Sequence, residues 1–156
     1  QLGMVIAVVS ARTKAVSSRT AMRETVATSP YFPGWVQSTA QDLRDMRAAL
    51  ASGDVEAVGE LTESSALRMH AAIMGNRPPV RYLAPTSVAL FDAVAALRAE
   101  GLGAWATADA GPNVAVLTRA EDVPTLRDRL AERFPDLRLI SAQAGPGAHL
   151  LDRGRA

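Results

Sequence analysis

Two long segments in the first half of the chain place apolar residues at the three- and four-residue spacing of an amphipathic helix. Gly53 and Asp54 separate them, since glycine commonly ends a helix and aspartate commonly caps the next one. The proline pair in residues 76–79 must break the second helix. We expect the two helices to pack together as a hairpin. The apolar positions that define them are Trp35, Leu43, Met46 and Leu50, then Val55, Val58, Thr62, Ala66, Met69 and Ile73.

Three shorter helices are predicted from their end signals as well as their periodicity. The first begins with the serines of residues 17–18 and ends at Ser29-Pro30. The second begins near Pro85 and stops at Gly101. The third follows Asp122, a predicted cap, and runs to residue 134.

Four runs rich in apolar and β-branched residues predict strands. Residues 4–9 form the first, "GAWATAD" and "NVAVLT" read as a β-hairpin closed by "AGP", and "LRLISAQ" forms the last. This order is the split βαβ (ferredoxin-like) arrangement with inserted helices. We therefore expect an α+β fold with a mostly antiparallel four-stranded sheet.

The composition indicates one globular domain over residues 1–156 and excludes several classes of partner. The 17 basic and 16 acidic side chains nearly cancel, which argues against a nucleic acid or an anionic membrane. The absence of cysteine excludes disulfides and thiolate chemistry and is typical of the cytoplasm, the expected location. The two histidines, His70 and His149, are too isolated to suggest a metal cluster, and His70 is expected to be structural.

The start of the chain suggests a piece of a longer protein. It begins at Gln1 rather than methionine, and the first predicted strand follows almost at once. That strand is apolar for six residues without a basic flank, so it predicts neither a signal peptide nor a membrane span.

The "VSSR" stretch is the first candidate site, because hydroxyls and a guanidinium there meet the free N–H groups of a helix start. Arg19 could bind a phosphate through two hydrogen bonds, Ser17 or Ser18 could donate beside it, and Lys14 lies nearby. The alternative is a capping serine followed by an exposed arginine.

Asp109 in "TADAGPN" is the second candidate. A carboxylate at a strand end could orient a hydroxyl and accept its proton. The alternative is a hairpin turn in which Asp109 bonds its own backbone. The "AGPG" of residues 144–147 is read as a simple turn, because the strand, loop and helix of a phosphate-binding loop are not indicated around it.

Three ordered motifs give the chain a family resemblance. Over "AVSSRTAMRETVATSPYFPGWV", "LTESSALRMHAAIMGNRPPVRYL" and "ATADAGPNVAVL" it resembles the C-terminal half of mevalonate diphosphate decarboxylases. These enzymes belong to the superfamily of galactokinase and of homoserine, mevalonate and phosphomevalonate kinases.

The resemblance implies a function in isoprenoid biosynthesis: ATP-dependent decarboxylation of mevalonate 5-diphosphate to isopentenyl diphosphate. It implies that Asp109 contacts the 3-hydroxyl of the substrate and that Ser18 and Arg19 hold its phosphate groups. Ser17 and Met22 are added as neighbours.

The family's N-terminal half, with its glycine-rich ATP loop, has no counterpart in these residues. We expect ATP and Mg²⁺ to be held mostly by that half, and these 156 residues to be inactive alone. A domain with its cleft uncovered could also form a homodimer.

Two kinds of alternative remain. A mevalonate 3-kinase or a phosphomevalonate decarboxylase could share the turn and differ in the phosphate it expects. The domain could also be a non-catalytic module that binds a small ligand or itself. In that case the intact protein would keep full activity after Asp109→Asn.

Overall fold

A computed structural model describes residues 1–12, 16–147 and 150, and its centre is a four-stranded sheet. The strands lie in the order β2-β3-β1-β4, and every neighbouring pair is antiparallel. The predicted split βαβ fold is therefore confirmed, as is the hairpin of β2 and β3. The strands are β1 (Leu2–Val8), β2 (Ala104–Thr107), β3 (Val114–Arg119) and β4 (Arg138–Gln143).

In the described part of the chain, five α-helices surround the sheet, close to where the sequence predicted them. Gly53 adopts a left-handed φ of 71° at the end of the second helix, and the Asp54 side chain accepts from the Ala57 N–H at 3.0 Å to start the third. Asp122 precedes the last helix at the end of a short 3₁₀ turn, but its side chain makes no capping bond. The helices are α1 (Ser18–Thr28), α2 (Phe32–Ser52), α3 (Val55–Met74), α4 (Pro85–Ala99) and α5 (Val123–Arg133).

The sheet lies between two helical layers, because side chains alternate between its faces. Helices α4 and α5 cover one face and bury the main core. Helix α3, with α2 beside it, covers part of the other face through Leu117 and Trp105. The buried members of the main core are Val5, Ala7, Leu90, Val94, Leu97, Ala104, Ala106, Ala108, Val114, Val116, Val123, Leu126 and Leu130.

Helix α2 differs from expectation in how much of its apolar side is buried. It packs along α3 as predicted, yet Leu43 and Leu50 are 57% and 56% exposed. Among its residues only Ala49 is fully buried. The periodicity marked the apolar face correctly but could not show what covers it.

Candidate functional site

Asp109 lies in the turn between β2 and β3. The Gly111 N–H donates to the Asp109 carbonyl at 2.7 Å, so the backbone rather than the carboxylate closes this turn. The Asp109 side chain is exposed, and no hydrogen bond or ion pair joins it to another residue that the structure describes. It lines a cleft of about 440 Å³ between the turn and helices α2 and α3. The carboxylate is thus available to a molecule in that cleft.

Side-chain hydrogen bonds that span long stretches of sequence hold the turn in place. The His70 ring on α3 donates from Nε2 to the Ala108 carbonyl at 3.1 Å, because a carbonyl oxygen can only accept. The Ser87 hydroxyl on α4 donates to the Pro112 carbonyl. The Asn113 side-chain oxygen accepts from the N–H groups of residues 9 and 10, at 2.9 and 3.0 Å, which ties the turn to the end of β1.

The start of α1 is the second part of the site. Ser17 is its N-cap, accepting from the Thr20 N–H at 3.1 Å and sharing a bond of 2.8 Å with the Thr20 hydroxyl. Ser18 and Arg19 occupy the first two helical positions and are exposed. Within the described ranges Arg19 has no ion pair. Lys14 and His149 fall outside those ranges.

Tyr82 anchors the start of α1 through its hydroxyl group. Its hydroxyl lies 3.1 Å from the carbonyl oxygens of both Val16 and Ser17 and donates its proton to them. Burial raises the pKa of Tyr82, so the hydroxyl keeps the proton that it donates.

A small apolar cluster joins the two parts of the site. Ala110, the neighbour of Asp109, packs with Val16 and Met22 against a buried centre that includes Tyr82. The two candidate motifs, 90 residues apart in sequence, therefore lie on adjacent segments at one end of the sheet. The walls of the cleft include Asp109 but none of residues 17–19 or Met22.

Electrostatics at the turn depend on His70, which is 2% exposed. Burial lowers its pKa, while the hydrogen bond to Ala108 and the charge of Asp109 act in the opposite direction. The lowered pKa favours a neutral ring at neutral pH.

The described part of the chain offers no metal centre and no membrane helix. It contains no group of three or more histidine or acidic side chains that could hold a metal ion. None of its helices is both long enough and apolar enough to cross a bilayer. Residues 144–147, which the sequence predicted to be a simple turn, instead form irregular structure after β4.

Two curated relatives match much of this chain. A diphosphomevalonate decarboxylase of Schizosaccharomyces pombe is 32% identical over 74% of this chain and 30% of its own length. A phosphomevalonate decarboxylase of Haloferax volcanii is 34% identical over 72% of this chain and 34% of its own. The chain thus spans about a third of these relatives.

Solved structures share the fold over nearly the whole chain. A complex described as MDDEF with MVAPP, AMPPCP and magnesium superimposes with a TM-score of 0.88 at 37% identity, over 94% of this chain and 45% of that one. The mevalonate diphosphate decarboxylase of Enterococcus faecalis, in a study of ATP binding mediated by mevalonate diphosphate, gives 0.84 at 36%, over 94% and 44%.

The family model described as "Mevalonate 5-diphosphate decarboxylase C-terminal domain" matches residues 4–148. That span includes both the Asp109 turn and the start of α1. The chain belongs to the family of mevalonate 5-diphosphate decarboxylase C-terminal domains.

Proposed function

We propose that these residues form the C-terminal domain of an ATP-dependent decarboxylase that converts mevalonate 5-diphosphate to isopentenyl diphosphate. The observation that carries the proposal is the Asp109 carboxylate, which faces the cleft unpaired among the described residues and lies one residue from the cluster beneath α1. Membership of the decarboxylase family supports it.

Asp109 would act on the tertiary 3-hydroxyl of the substrate. A carboxylate is a weak base for an alcohol, so it first orients the hydroxyl by accepting its hydrogen bond and takes the proton late. ATP supplies the phosphoryl group that converts this hydroxyl into a leaving group. When phosphate departs with the electron pair of the C3–O bond, the bond to the carboxylate carbon supplies the pair that forms the double bond and releases carbon dioxide.

Ser18 and Arg19 would hold the phosphate groups of the substrate. They stand at the N-terminus of α1, where free N–H groups and the helix dipole favour an anion, and Arg19 adds a full positive charge. The Ser17 hydroxyl is engaged with Thr20, so Ser17 serves mainly as the cap. Met22 is half-buried and supports the helix from the apolar side.

ATP and Mg²⁺ would be held mainly by an N-terminal half outside these residues. The described side chains include no cluster of three or more histidine or acidic groups that could hold a metal ion, and magnesium accompanies AMPPCP in the related complex. The 156 residues alone are therefore expected to form no isopentenyl diphosphate. A mass-verified sample of this length that forms it would contradict the division of labour between the halves.

The decisive experiment is Asp109→Asn in the complete enzyme, assayed with mevalonate 5-diphosphate. Asparagine preserves the turn and removes the charge, so we expect kcat to fall by about 10²–10⁴-fold with a smaller change in KM. Asp128→Asn, at an exposed acid on α5, is the matched control and should keep full activity. Full activity of Asp109→Asn would instead favour a non-catalytic module.

A phosphomevalonate decarboxylase is the second candidate, because the Haloferax volcanii enzyme of that name is as similar to this chain as the diphosphomevalonate decarboxylases are. Values of kcat/KM for mevalonate, its 5-phosphate and its 5-diphosphate separate the two and also test a mevalonate 3-kinase. We expect the 5-diphosphate to be preferred and Arg19→Gln to reduce that preference. Equal or better turnover of the 5-phosphate would overturn the choice.

A further inference from the structure

We propose that His70 is a positioning residue for Asp109, holding the chain beside the carboxylate through the Ala108 carbonyl. The proposal rests on the function proposed above. His70 would not touch the substrate; it would fix where the strand delivers the acid.

The bond between His70 and Ala108 begins where the sheet stops. The last paired residues of β2 and β3 are Thr107 and Ala115, so the Ala108 carbonyl lies beyond the ladder. His70 Nε2 reaches that carbonyl from α3 at 3.1 Å, across 38 residues of sequence. Both residues are buried, at 2% and 4% exposure. The side chain thus replaces the ladder bond that the backbone lacks at this point.

The carboxylate depends on its backbone for direction. Asp109 has no side-chain partner in the described part of the chain, so its direction follows from the conformation of residues 108 and 109. A misplacement of about 1 Å at a reacting group can cost about 10²-fold in rate. Loosening the Ala108 carbonyl should therefore act on kcat before it acts on binding.

A replacement for His70 must donate a hydrogen bond from the same position along the side chain. Because the acceptor is a carbonyl, Nε2 carries the proton and Nδ1 does not when the ring is neutral. A glutamine amide nitrogen lies the same number of bonds from Cα as Nε2 and donates without charge. Leucine has similar bulk and no donor.

The experiment compares His70→Leu and His70→Gln with a matched control in the complete enzyme. The control is Thr118→Val, which removes another hydrogen bond from a buried side chain to the backbone, from the Thr118 hydroxyl to the Gly103 carbonyl at 2.6 Å, at the opposite end of β2. We expect His70→Leu to lower kcat by about 10–100-fold with KM within about twofold. His70→Gln should recover most of kcat, and Thr118→Val should lose stability while keeping kcat.

The possible results separate this proposal from the function on which it rests. If Asp109→Asn abolishes turnover while His70→Leu behaves like Thr118→Val, His70 is merely structural and the inference fails alone. If Asp109→Asn keeps full activity, the proposed function fails first. Failure of His70→Gln to recover kcat would also count against the hydrogen bond.

A measurement on the wild-type enzyme covers the case in which His70→Leu does not fold. Nitrogen-15 NMR of the histidine rings should show that His70 is protonated at Nε2 and unprotonated at Nδ1 at neutral pH. The opposite tautomer would rule out donation to Ala108 and overturn the proposal.

Discussion

Replacing Gly59 with alanine would place a methyl group inside the ring of Trp105. Gly59 lies in α3 where this helix crosses β2, and a Cβ there would stand 2.0, 2.4 and 2.5 Å from three carbons of the indole. Trp105 is 4% exposed, and the Arg98 guanidinium lies over its ring, 5.9 Å from the ring centre. The ring therefore has little room to move away.

The size of the effect follows from that overlap. An ordinary carbon contact begins near 3.4 Å, so helix and ring must separate by about 1.4 Å, the difference between 3.4 and 2.0 Å. Overpacking on this scale costs about 3 kcal/mol, at the upper end of the usual range. Alanine returns about 1 kcal/mol through its better helix propensity. We expect a net loss of about 2 kcal/mol in the free energy of unfolding.

Urea denaturation of the complete enzyme, monitored by tryptophan fluorescence and circular dichroism, measures this loss. Gly34→Ala in α2 is the matched control, because a Cβ at Gly34 meets no atom within 4 Å. It should stabilise the protein by about 0.5 kcal/mol. If Gly59→Ala were as stable as Gly34→Ala, the close approach of α3 to β2 would not be the reason for glycine at position 59.

Three further predictions concern the surroundings of the site. Tyr82→Phe should raise KM for the phosphorylated substrate about fivefold and change kcat little, because a hydrogen bond of about 1 kcal/mol from the Tyr82 hydroxyl anchors the start of α1. A fall in kcat with KM unchanged would contradict this role of Tyr82. Glu63→Leu should destabilise the protein by about 2–4 kcal/mol in urea titrations, because Glu63 accepts from the Ala106 N–H and pairs with Arg98. Glu63→Gln should destabilise it less, since glutamine loses the charge but can still accept from Ala106; equal losses would contradict the contribution of that hydrogen bond. Because the pKa of His70 is lowered in the folded protein, the unfolded chain binds a proton at this ring more readily than the folded protein does. The free energy of unfolding should therefore fall as pH drops below about 6.5, and His70→Gln should show a smaller fall between pH 7.5 and 5.5.

The fold was predictable because its signals are local. Gly53 and Asp54 mark a helix end and a helix start by their own backbone and side-chain chemistry, whatever surrounds them. The same holds for the hairpin after β2, whose turn residues lie between two apolar runs. Given these elements in this order, few sheet topologies are available.

The supports of the site were not predictable in this way. Asp109 and Arg19 could be singled out because a carboxylate and a guanidinium within short motifs are recognisable candidates for binding or catalysis. Tyr82, Ser87 and Asn113 act through bonds to backbone atoms 25 to 104 residues away, and no local pattern announces such a bond. His70 was expected to be structural, and its link to the Ala108 carbonyl became visible only when α3 was placed against the end of β2.

Helix α3 is the element that explains why the two motifs meet. Near its start Gly59 lets it lie directly on Trp105 of β2. Eleven residues further along, about 16 Å at the rise of an α-helix, His70 holds the carbonyl before Asp109. One turn later Ile73 is buried in the cluster that includes Met22, beneath the start of α1. A shift of α3 along β2 would therefore move the support of Asp109 and the floor under α1 together, so the distance between Asp109 and the start of α1 depends on how closely this one helix packs on the sheet.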